Sequence, residues 1–240
     1  MLSLEYSPNS LLLASGSKDS TIRIWTHTVD GKSKIIKGHA GPVRSLNFSF
    51  DGQYLLSGSA DKNIKIWDMG TLKFKSSYIG HKNWISTARF SRDATLIGSG
   101  GEDKRLMLWD VETKKTRFEL DAHLNAITDV HFHPTEPWLV SASKDQTIKF
   151  HDIRSEKLVQ HYDAHSDSVN SIAIHPNGNL MVSVSSDAQT KLWDIRKGFL
   201  IYSLYAHNGS VNACAFSKKG NYFCTAGTDQ KCVVWNTGLV

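Results

Sequence analysis

The chain has 240 residues, 40% of them hydrophobic and 21% charged, and its 28 basic and 23 acidic residues give a net charge of +5. That composition is ordinary for a globular protein and leaves room for one large domain or two small ones. The mild positive balance suits an acidic partner but is far from a nucleic-acid tail. No apolar run approaches the ~18 residues needed to cross a bilayer, and the opening MLSLEYSPNS lacks the basic and apolar regions of a secretory signal.

The first segment, residues 1–38, reads as short strands carrying Ser15, Asp19 and Trp25. The second, 39–80, is complete. After His39, VRSLNFSF (Val43–Phe50) is a strand and Asp51-Gly52 turns the chain. QYLLSGSA is a second strand, Asp61-Lys62-Asn63 a tight turn, IKIWD a third strand and LKFKSSYIG a fourth. The third segment, 81–122, repeats the pattern with His81, Ser99, Asp103 and Trp109; its SGGEDKR is a strand-turn stretch and not a phosphate loop. The fourth, 123–164, keeps His123, Ser141 and Asp145 but has His151 where its neighbours have tryptophan. The fifth, 165–206, restores the pattern with His165, Ser183, Asp187 and Trp193. The sixth, 207–240, has His207, Thr225, Asp229 and Trp235, and holds all three cysteines, Cys214, Cys224 and Cys232. An odd cysteine count without a CxxC pair reads as small buried hydrophobes in a reducing compartment.

Corresponding residues lie 42 apart throughout: tryptophans at 25, 67, 109, 193 and 235, aspartates at 19, 61, 103, 145, 187 and 229, with no insertion or deletion between them. A period near 42 with four short strands per unit is the sequence mark of a β-propeller blade. The expected fold is therefore all-β, one propeller domain over 1–240 with six recognisable blades: 1–38, 39–80, 81–122, 123–164, 165–206 and 207–240. Counting back from Val43 places Met1 inside a first strand, and only five residues follow Trp235, so the first and last blades are expected to be incomplete. Six blades with an unpaired edge suggest part of a seven-bladed ring, since an uncovered edge strand is an aggregation hazard.

Gly38-His39, Ser57, Asp61 and Trp67-Asp68, followed by Gly80-His81, Ser99, Asp103 and Trp109-Asp110, resemble the WD-repeat family over essentially the whole chain. The resemblance implies that the loop His, second-strand Ser or Thr, turn Asp and third-strand Trp of each blade form one hydrogen-bonded chain. The sets are His39, Ser57, Asp61, Trp67; His81, Ser99, Asp103, Trp109; His123, Ser141, Asp145, His151; His165, Ser183, Asp187, Trp193; and His207, Thr225, Asp229, Trp235. Ser57 is preferred to Ser59 because its column never loses the hydroxyl, whereas the other becomes Gly101 and Gly227. Ser, His and Asp could also suggest a nucleophilic triad, but an enzyme needs one site and this set recurs. No catalytic residue, metal or cofactor is expected. His131 and His133 could suggest a metal pair, yet His133 shares its column with His175, Ser49 and Ser91 as a turn-entry residue. At position 151 an imidazole can still offer one N–H toward Ser141.

Propellers bind through their loop faces, because the scaffold is rigid and the loops vary. One face holds the His and Asp ladders with Lys18, Lys82, Trp84 and Lys144. The opposite face gathers Arg92, Lys114, Lys115, Arg154, Lys157, Arg196, Lys197, Lys218 and Lys219, diluted by Asp93, Glu112, Glu136 and Glu156. HYDAHSDSVNSIAIHPNGN and AFSKKGNYF are similar to the later blades of the proteome-of-centriole family of WD-repeat proteins. That resemblance implies a non-enzymatic structural protein of the cytoplasm and cytoskeleton, at centrioles, basal bodies or axonemal microtubules. It would bind and stabilise microtubule walls, with tubulin and other basal-body or axonemal proteins as partners and with neither nucleic acid nor membrane. The alternative is a soluble WD-repeat adaptor, either a ubiquitin-ligase substrate receptor or an RNA-processing scaffold.

Overall fold

A computed structural model describes residues 1–26 and 33–238. Among them there are strands and turns and no helix. The chain divides into two compact units, Met1–Ala122 and His123–Val240, each built from three antiparallel sheets.

In the first unit, blade 1 is β1 (Ser3–Tyr6), β2 (Leu12–Gly16), β3 (Thr21–Thr26) and β4 (Ser33–Lys37). Blade 2 is β5 (Val43–Phe48), β6 (Tyr54–Ser59), β7 (Asn63–Asp68) and β8 (Lys73–Ile79). Blade 3 is β9 (Ile85–Phe90), β10 (Leu96–Gly101), β11 (Leu106–Asp110) and β12 (Thr116–Leu120). In the second unit, blade 4 is β13 (Ile127–Phe132), β14 (Trp138–Ser143), β15 (Thr147–Asp152) and β16 (Leu158–Asp163). Blade 5 is β17 (Val169–Ile174), β18 (Leu180–Ser185), β19 (Thr190–Asp194) and β20 (Phe199–Leu204), and blade 6 is β21 (Val211–Phe216), β22 (Tyr222–Gly227) and β23 (Cys232–Asn236). Strands follow chain order within every sheet, so each blade is a meander.

Burial follows position in the blade. The second strands β10 and β18 are buried at every residue. Within the second unit, β18 packs against blade 4 through Met181 and against blade 6 through Val182 and Val184. The fourth strands lie outermost; in β12 only Phe118 is buried. The cores form between blades. Ile22, Ile24 and Ile36 of blade 1 meet Val43, Leu46 and Trp67 of blade 2, while Val140, Phe150 and Tyr162 of blade 4 meet Ile172, Met181 and Trp193 of blade 5. Blade 6 is more open, with Val234 and Tyr222 exposed on its three-stranded sheet. A side chain at Gly80 would come within 2.8 Å of Cη2 of Trp109. The glycine before the loop histidine therefore makes room for the indole.

Two irregularities recur. The first strands of blades 2 to 6 bulge at one column: Val43 pairs with Ser59 and Ser45 with Gly58, leaving Arg44 as the extra residue. Bulges redirect side chains out of the pleat. The residue after each ladder aspartate (Ser20, Lys62, Lys104, Gln146, Ala188, Gln230) has positive φ, which closes the turn between second and third strands.

Candidate interaction surface

The tetrad residues converge in space. In blade 2, His39 Nδ1 lies 2.8 Å from Asp61 Oδ2, His39 Nε2 lies 2.7 Å from Ser57 Oγ, and Trp67 Nε1 donates to the same Oγ at 2.8 Å. Blade 3 repeats this through His81, Asp103, Ser99 and Trp109 at 2.8, 2.7 and 2.8 Å. Blade 5 does so through His165, Asp187, Ser183 and Trp193 at 2.9, 2.8 and 2.8 Å. In blade 6 the chain is longer, with Thr225 at 2.9 Å from His207 and 3.1 Å from Trp235. Blade 1 keeps the Trp25–Ser15 bond at 2.9 Å, and Asp19 instead accepts from Thr21.

Donor logic orders the protons. An indole N–H can only donate, so the serine oxygen accepts it. The single serine proton then goes to His Nε2, which leaves Nδ1–H to donate to the aspartate. Burial lowers the pKa of His39, His123 and His165, favouring this neutral form. Burial pushes Asp61 and Asp103 upward, but hydrogen bonds from His39 and His81 and from loop amides outweigh it, and both carboxyls end low. Asp145 falls to about 2: burial opposes the shift, and the bond from Thr147 with the nearby His123 overcomes it. The same carboxylates also accept backbone amides of the loop, from Ala40, Lys82 and Leu124. The tetrads thus pin the loops between blades. Ser57, Ser99, Ser141 and Ser183 have no exposed surface, so no substrate could reach these oxygens. The Ser59 column does other work, as Ser59 Oγ donates to Gly41 O and receives the Asp61 amide.

Blade 4 departs from the expectation made for it. His123 reaches Asp145 at 2.9 Å and Ser141 at 2.8 Å, but no hydrogen bond joins His151 to Ser141. His151 is 6% exposed and its Nδ1 is buried without a partner. Burial, with His123 and Lys149 nearby, lowers its pKa to about 4. The buried imidazole is therefore held neutral. Ser141 keeps His123 at 2.8 Å and a long contact to Lys149 O at 3.5 Å.

His133 is a turn residue. Its Nδ1 accepts the Glu136 amide at 2.9 Å, as Ser91 Oγ accepts that of Leu96, and its Nε2 bonds Gly178 O of the next blade at 2.8 Å. Among the described residues, no group of three His, Cys, Asp or Glu side chains is arranged to hold a metal.

The candidate contact residues lie on loops. Lys18, Lys82 and Trp84 of the first unit, and Lys144 of the second, are exposed beside the tetrad turns. At the other ends of the strands, Arg92, Lys114 and Lys115 are exposed in the first unit. Arg154, Lys157, Arg196, Lys197, Lys218 and Lys219 are exposed in the second. Sequence reasoning left the fixing of these basic loops unexplained. In blades 3, 4 and 5 the aspartate ending the third strand holds the loop to the fourth: Asp110 Oδ1 accepts the Thr113 amide at 2.8 Å, Asp152 those of Arg154 and Ser155 at 2.7 and 3.0 Å, and Asp194 that of Lys197 at 2.8 Å. The signal was present in the repeated Trp-Asp pair, whose second residue had no assigned partner.

The family profile described as WD domain, G-beta repeat matches residues 1–26, 31–68, 72–110, 114–152, 156–194 and 198–236. No curated protein matches the chain.

Proposed function

Because the chain belongs to the WD domain, G-beta repeat family, we propose that it is a non-enzymatic scaffold that binds and stabilises the microtubule walls of centrioles, basal bodies or axonemes. The family supports protein–protein interaction as the general role. The observation that carries the finer reading is the set of exposed basic loops held by the aspartates that end the third strands of blades 3, 4 and 5. Lys114 and Lys115 in the first unit, with Arg154, Arg196 and Lys197 in the second, stand on turns whose amides are already bonded. Exposed cations on loops with a held backbone steer toward an acidic surface. Tubulin presents such a surface, and the phrases shared with the proteome-of-centriole family point to the same setting.

Co-sedimentation with polymerised tubulin tests the reading. The chain is expected to pellet with polymer at low salt and to be released as ionic strength rises toward roughly 0.3 M, where screening shortens the reach of exposed charges. Lys114→Glu with Lys115→Glu, and Arg196→Glu with Lys197→Glu, should each weaken pelleting while leaving the thermal transition in place. Failure of the parent chain to pellet would overturn the reading, as would pelleting untouched by both pairs.

A further inference from the structure

We propose that a cleft beside the tetrad turns of the first unit is a docking site for an internal protein segment in which Asp or Glu flanks a large apolar side chain. The cleft has a volume of about 730 Å³ and is walled by Leu2, Ala40, Pro42, Ala60 and Trp84, with Lys18 and Arg44 at its charged edge. That size suits a short peptide element with one buried anchor. Asp61 also lines it, but both its oxygens are committed, Oδ2 to His39 and the Ala40 amide and Oδ1 to the Asn63 amide. Two cations, Lys18 and Arg44, against this one carboxylate leave the lining net positive, and only the cations have hydrogen-bonding capacity to offer a partner.

Two departures from the repeat coincide here. Position 84 is tryptophan where the other blades have Pro42, Ala126, Ser168 and Ser210, so the blade does not require an indole there. Position 44 is arginine where the others have Ser86, Thr128, Asn170 and Asn212. Thr128 and Asn170 use this bulged position to tie one blade to the next, bonding the carbonyls of Val169 and Val211 at 2.6 and 2.7 Å. Arg44 instead places its guanidinium 5.6 Å from the centre of the Trp84 ring. The one large aromatic of one column and the one charge of the other have met across blades 2 and 3.

The backbone of Trp84 is held. Its carbonyl accepts the Glu102 amide at 2.8 Å and its own amide bonds Asn83 Oδ1 at 2.9 Å. Gly101 lets the turn approach this closely, since a Cβ there would overlap the Trp84 carbonyl oxygen. The backbone is held while the side chain stays 51% exposed. An exposed aromatic on a held backbone, beside an arginine and a lysine, fits an apolar anchor with neighbouring carboxylates, because aromatic and arginine side chains dominate interface energetics. This site lies at the opposite strand ends from the basic loops above and does not depend on the microtubule reading.

The test is selection of a random-peptide phage library on the full chain, counter-selected on the double variant Trp84→Ser, Arg44→Ser. Each single change installs a residue that the repeat already uses in another blade, and equal melting curves check the fold. Enriched peptides should carry Asp or Glu next to Leu, Ile, Met or Phe. As synthetic peptides they should bind the parent chain roughly tenfold or more tighter than either single variant. They should also shift the Trp84 indole N–H resonance. Enrichment of basic or purely polar peptides would overturn the proposal, and so would binding that survives both substitutions or no enrichment over the double variant.

Discussion

At position 151 an imidazole stands where every other blade has an indole, and the consequence is an unpaired Nδ1 in a buried site. A buried polar atom without a partner costs about 1–3 kcal/mol. His151→Trp should remove that cost and give Ser141 the donor that Ser183 receives from Trp193. Blade 5 shows that an indole is compatible with alanine before the loop histidine, since Trp193 coexists with Ala164, and blade 4 has Ala122 at the corresponding position. The thermal transition should rise by at least about 2 °C; a fall would show that the pocket is closed to an indole. The same residue sets an acid sensitivity. His151 has a folded pKa of about 4 against about 6.5 unfolded. Below pH 6.5 the unfolded chain takes up a proton that the folded chain refuses, so stability drops as pH falls from 6.5 toward 4. The lowered pKa values of His39, His123 and His165 act in the same direction. Asp145 stabilises above about 3.8 and loses that contribution only toward pH 2, below this window. Urea midpoints measured across pH 7 to 4 should fall, and fall less in His151→Trp. Parallel curves for the two proteins would contradict this assignment.

At the scale of the blade, one hydroxyl on the second strand joins the third strand to the loop that carries the histidine. Ser99→Ala would strand both Trp109 Nε1 and His81 Nε2, at about 1–3 kcal/mol. Ser141→Ala strands only His123 Nε2. The first variant should therefore lower the denaturation midpoint more than the second, and equal losses would mean that the indole bond adds nothing. These elements were legible in the sequence because the hydroxyl bonds a histidine 18 residues before it and a tryptophan 10 residues after it. That geometry fixes the length from the histidine to the tryptophan, so this part of the 42-residue period is repeated without change. Other elements were not legible. Strand alternation does not reveal which residue of a first strand is left unpaired, so the bulge at Arg44 could not be read, and its column looked merely polar. The bond from Ser171 to Asp129 at 2.8 Å links blades through residues 42 apart, with no local pattern to announce it. The missing His151–Ser141 bond depends on ring orientation, which composition does not encode.

At the scale of the whole molecule, charge is the useful quantity. A net charge of +5 is modest, but loop placement concentrates basic side chains at the same strand ends within each unit, away from the tetrad turns. Turn aspartates hold those loops by accepting backbone amides, which also keeps the Asp110 and Asp152 carboxyls below their ordinary range. A surface of this kind should act by long-range attraction first and close contact second, so that removing charges changes association more than dissociation. The two chemistries on this chain are thus separable: basic loops at one set of strand ends, and an apolar cleft with an arginine-backed indole at the other.

The most direct test of the microtubule assignment is the position of a fluorescently tagged chain in ciliated cells, with and without the charge-reversed basic loops. The assignment predicts that the tagged parent concentrates at centrioles or basal bodies and persists there. It predicts that the Lys114→Glu, Lys115→Glu, Arg196→Glu, Lys197→Glu variant becomes diffuse at equal abundance. A parent chain that is diffuse from the outset, or a variant that still concentrates there, would contradict it.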